Sequence, residues 1–86
     1  MNAEELSKRY IKATEKTLKF VHKTESRFEI KEINIDEVLN YVNSYLKDAK
    51  YFLSEQKFET SLTSIAYCEG LLDALKILGT IRVEKV

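Results

Sequence analysis

The sequence predicts an all-α fold, a three-helix bundle. Three observations carry that expectation. Apolar residues recur at helical spacing in three stretches, the 86 residues hold no Pro and only two Gly, and two capping boxes mark helix starts. A β-sandwich needs turn residues roughly every 8–12 positions, and this chain lacks them.

Helix one is expected over about residues 3–23. Asn2 is its cap and Glu5, three residues on, completes a capping box that satisfies orphan amides at the helix start. On a helical wheel Leu6, Tyr10, Ala13, Thr17, Phe20 and Val21 share one face, with Ile11 and Leu18 at its edge. Lys8, Lys12, Lys16, Lys19 and Lys23 form a band on the opposite side.

Helix two is expected over about residues 35–55, capped by Asn34 with Glu37 completing the box and Ile33 stapling onto Val38. Ile35, Leu39, Val42, Leu46, Ala49 and Leu53 step alternately by four and three, and Val38, Tyr45 and Phe52 run alongside. That is a heptad seam with a flank, wide enough to face two neighbours. Helix three is expected over about residues 58–78, with Leu62, Ile65, Cys68, Leu72, Leu75 and Leu78 as its stripe and Gly79 as its C-terminal cap. The connection around Glu55–Lys57 is so short that helices two and three must form an antiparallel hairpin. Gly70 in mid-helix implies close approach of another backbone, and Ala49 is the matching small residue on helix two. Period-two apolar spacing suggests short extended segments at 27–31 and 80–86, which could pair as a ribbon.

The composition excludes several classes. An apolar share of 44% rules out intrinsic disorder, and 86 residues make one domain, 1–86. Fourteen basic against fourteen acidic residues is no polycationic coat for nucleic acid. One Cys excludes an internal disulfide and a cysteine-based zinc site. No apolar run is long enough to span a membrane, and the charged start is no signal peptide. A domain this small buries only about 60–65% of its unfolded surface. With no disulfide or metal to help, it needs well-formed helices or a partner subunit.

Chemistry is sparse. His22 stands at a helix end with no orienting acid and nucleophile beside it, and reads as a rim residue. Cys68 lies on an apolar stripe and reads as a small core residue. Glu69 and Asp73, four apart on helix three, could hold a divalent cation with Asp48 across the hairpin. The spacing does not match the paired acidic motifs of the helical nucleotide pyrophosphatases, and a solvated acidic set is the plainer reading. Residues 1–24 carry a local charge of +3, so the lysine band could lie along phosphates. Yet Glu4–Lys8, Glu5–Arg9 and Glu15–Lys19 all have the order that builds a solvated helix face. Tyr41, Tyr45, Tyr51 and Tyr67 gather in the hairpin, where exposed tyrosines suit an interface.

Two elements also carry a resemblance. Asp48-Ala49-x-Tyr51-Phe52 and Tyr67-x-x-Gly70-x-x-Asp73-Ala74 together resemble the small archaeal family known as domain of unknown function 357. The likeness covers the hairpin well, and helix one only in length and charge. The family has a Gly-Asp type turn where this chain has Gln56-Lys57, and tends to His and Trp where Glu69 and Leu71 stand. Membership implies a compact helical bundle and an archaeal cytoplasmic setting, with no established activity. The hairpin is more distantly similar to HEPN domains and to a tetratricopeptide helix pair. HEPN ribonucleases carry a His late in the domain, and this chain has none after position 22.

The function expected is a non-catalytic interaction module with no cofactor. Its partner is itself, as a homodimer, or another protein, ahead of nucleic acid and with no membrane involved. Phosphate binding by the helix-one lysines is the first alternative and an acid-pair metal enzyme the second.

Overall fold

The computed structural model describes residues 2–24 and 29–84, which form three helices. These are α1 (Ala3–Leu18), α2 (Glu32–Ser54) and α3 (Phe58–Ile77). The class is all-α with three helices, as the sequence predicts, and α2 and α3 make the antiparallel hairpin. No strand forms among the described residues. Glu29–Lys31 and Thr80–Glu84 pair with nothing as a ribbon; the remainder of both expected extended segments lies outside the described residues.

Two helix ends differ from expectation, each for a local reason. The α1 start is as predicted, with Asn2 Oδ1 accepting the Glu5 N–H at 2.8 Å. The helix stops at Leu18, short of Lys23. The N–H groups of Lys19, Phe20 and Val21 then reach back only three residues, to Lys16, Thr17 and Leu18. Among the described residues no neighbour covers this end, so nothing offsets the entropy of holding another turn. α2 starts earlier than expected, at Glu32. Lys31 sits outside it in extended conformation (φ −83°, ψ 151°), and its N–H donates to Asn34 Oδ1 at 3.3 Å. Asn34 therefore holds the start from inside the first turn instead of capping it, and Ile33 is exposed.

The hairpin turn is a Schellman motif. The Gln56 N–H donates to the Leu53 carbonyl and the Lys57 N–H to that of Phe52, at 3.0 and 2.8 Å. Gln56 takes the left-handed position at φ 60°, where most helices place Gly. α3 closes the same way with the expected residue. Gly79 at φ 72° donates to Lys76, and Thr80 donates to Leu75 through both its N–H and its hydroxyl.

The seam between α2 and α3 sets the register. Ser61 Oγ donates to the Ala49 carbonyl at 2.7 Å, and Cys68 Sγ to the Val42 carbonyl at 3.3 Å. A step of seven along each helix joins these two layers, and the next step sets Leu75 opposite Ile35. Large side chains fill the open end and small ones the turn end, which brings the backbones close enough for side-chain-to-carbonyl bonds. Among the described residues Val42, Ala49, Ser61, Cys68 and Leu75 are the buried ones, all on this seam.

α1 has no buried residue, and the helix-to-helix contacts among the described residues are all between α2 and α3. The radius of gyration is 15.9 Å, against about 12 Å for a compact chain of this length. The accessible surface is 8166 Å², against about 5,200 Å² for a compact monomer of this mass. The excess, about 2,900 Å², is the dominant feature of the molecule.

Candidate interaction surface

The two faces of the hairpin follow from the seam. Rotation of about 100° per residue from Val42 and Cys68 sends Val38, Tyr45, Phe52, Tyr67 and Leu71 to one side. It sends Leu39, Leu46, Leu53, Phe58, Leu62, Ile65 and Leu72 to the other. The first is a tyrosine face. Tyr45 and Tyr67 meet there across the helices, with ring centroids 4.4 Å apart and planes at 42°. Tyr41, a turn before Tyr45, is on the same side and half exposed. Tyr51 is not part of it: it lies on the back of α2, its ring edge-on to Phe52 at 5.4 Å. Three of the four tyrosines named from the sequence are thus brought together.

The second face is aliphatic, and the sequence assigned it to the core. Leu53, Phe58 and Leu62 are more than half exposed on it, and Leu46, Ile65 and Leu72 are half buried. The helix-three stripe predicted Leu62 and Leu78 inside; the structure exposes both and buries Ser61. The available signal was the sevenfold step Ser61–Cys68–Leu75, hidden because Ser is not apolar.

Gly70 is also a correction. It is exposed, and a Cβ built on it would meet nothing within 4 Å. Close approach happens instead at Ala49, whose partner is Ser61. The register levels Gly70 with Asn40, nine residues away from Ala49 on α2. Cys68 is the small core residue expected.

The acidic set is not assembled as a site. The register levels Glu69 with Tyr41, seven residues or about 10 Å of helix from Asp48. Asp48 also lies towards the tyrosine face, whereas Glu69 and Asp73 lie towards the aliphatic one. Asp73 pairs with Lys76 at 3.5 Å. Among the described residues no three acidic, His or Cys groups are placed to share a metal ion. Lys8, Lys12, Lys16, Lys19 and Lys23 are all exposed, with Lys8 3.8 Å from Glu4. His22 is exposed, as a rim residue would be. The depressions along α1 and α2 are each lined by a single helix.

What the arrangement offers is surface. Tyr10, Ile11, Leu18, Phe20 and Val21 of the α1 region are each more than half exposed, beside two half-open hairpin faces. The family model described as Protein of unknown function (DUF357) matches residues 9–81, the whole hairpin and most of α1. No curated protein and no solved structure matches the chain.

Proposed function

The chain belongs to the DUF357 family, whose description names no activity, and we propose a function from the geometry: a non-catalytic helical module that associates with a second copy of itself. The observation that carries this is the exposed area, 8166 Å² where a compact monomer of this mass shows about 5,200 Å². One buried seam of five residues is a thin core for the described residues, and a partner subunit supplies the missing burial. Sedimentation equilibrium from 1 to 100 μM, roughly the range of ordinary dimers, tests it. A dimer is expected, and a strict monomer across the range overturns the reading.

The lysine band supports no second function as strongly. Lys8 and Lys12 stand on the side of α1 away from the apolar stripe and Lys16 at its border, with acidic neighbours at helical spacing, as a solvated face does. Labelled oligonucleotides at low salt are expected to show no binding. Binding that falls steeply with added salt would restore the phosphate reading.

A further inference from the structure

We propose that two copies exchange their first helices, α1 of each laying its apolar stripe on the aliphatic face of the other's hairpin. This rests on the self-association reading and names the element and the face that carry it.

Area is the first argument. Tyr10 and Leu18 of α1 are 67% and 64% exposed, and α1 touches neither helix of its own hairpin. A standard interface covers only about 800 Å² per partner. The excess here, about 2,900 Å² per chain, calls for the larger burial that exchange of a whole helix provides. Each aromatic ring covered contributes about 150–250 Å², before counting the groove beneath it.

Charge selects the pairing. α1 carries four basic and three acidic side chains, +1, while the hairpin, residues 32–77, carries four and eight, −4. Hairpin on hairpin, or α1 on α1, would bring like net charge together. α1 on hairpin brings opposite charge together, and two such contacts close a twofold dimer. Charge also selects the face. On the wheel Glu32, Asp36, Glu69 and Asp73 border the aliphatic face at the open end of the hairpin, all exposed. Lys16 borders the apolar stripe of α1. The tyrosine face has one acidic residue on its border at that end, Glu37, against these four.

The test places a photo-reactive benzoylphenylalanine at Tyr10 of the full chain, mixes equal amounts of light and isotopically heavy copies, and irradiates after equilibration. Cross-links to Phe58, Leu62, Ile65 or Leu72 of the aliphatic face are expected, with about half of the joined pairs mixed in isotope. Same-isotope pairs only would mean that α1 covers its own hairpin, and the exchange would be wrong. Dimers in sedimentation whose cross-links fall on Tyr41, Tyr45 or Tyr67, or that give none, would overturn the exchange and leave self-association standing. A monomer would overturn both. As a second variant, Leu62→Glu changes an exposed side chain and leaves the seam intact; association is expected to weaken at least about tenfold. Unchanged association by Leu62→Glu would overturn the assigned face.

Discussion

Gln56 holds φ at 60°, where the Cβ of an L-residue crowds its own chain at a cost of roughly 1–2 kcal/mol. The hairpin accepts this because the two Schellman hydrogen bonds need a left-handed residue at that point. Gln56→Gly is therefore expected to stabilise the fold by about 1 kcal/mol, read as a higher urea midpoint at unchanged slope. The two native glycines should respond with opposite signs. Gly79 stands at φ 72°, so Gly79→Ala is expected to lose about 1 kcal/mol. Gly70 is helical and open on its Cβ side, so Gly70→Ala is expected to gain up to about 1 kcal/mol. A loss at Gly70 would mean that a neighbour packs there after all.

Among the elements, the hairpin and α1 differ in what holds them. Ser61 and Cys68 tie α3 to the α2 backbone through buried hydrogen bonds, one per layer of the seam. Ser61→Ala leaves the Ala49 carbonyl with only its helical donor and is expected to cost about 1 kcal/mol in thermal or urea unfolding. α1 has its cap and its Lys8–Glu4 pair, and among the described residues it makes no contact with α2 or α3. At 16 residues it sits near the length, about 12–15, at which an isolated helix is only marginal in water. Its amides are expected to exchange rapidly in dilute solution and to gain protection as concentration rises. Amides on the seam, at Val42 and Cys68, should stay protected throughout. Equal protection of α1 at all concentrations would show that it needs no second copy.

At the scale of the molecule, exposed area controls behaviour. A chain that completes its core by association has a melting temperature that depends on its concentration. Each tenfold increase adds up to about 1.4 kcal/mol, or several degrees for a domain of this size. Differential scanning over a hundredfold dilution reads this directly, and a constant midpoint would contradict it. The opposed charges of the two halves should also make association slower in high salt, since screening weakens steering between exposed charges.

The all-α class, the three helices, the antiparallel hairpin and the Asn2 and Gly79 caps were all legible in the sequence. They depend on contacts a few residues apart, namely spacing of 3.6, orphan amides near a cap and one left-handed residue. The tyrosine face was half legible: the sequence turns Tyr45 towards the seam and sets Tyr41 and Tyr51 off it, but only the structure puts Tyr41 on the Tyr67 side and Tyr51 on the back of α2. Only the tertiary structure decided the register. Ser61 rather than Leu62 turned inward, Gly70 outward, and Asp48 fell about two turns from Glu69. A helical wheel gives each helix its own angle but not the angle at which two helices meet, and here two hydrogen bonds to backbone carbonyls set that angle. The open flank of the hairpin and the uncovered stripe of α1 were likewise hidden. An apolar residue reads the same in sequence whether it lies in the core of its own chain or waits for that of another.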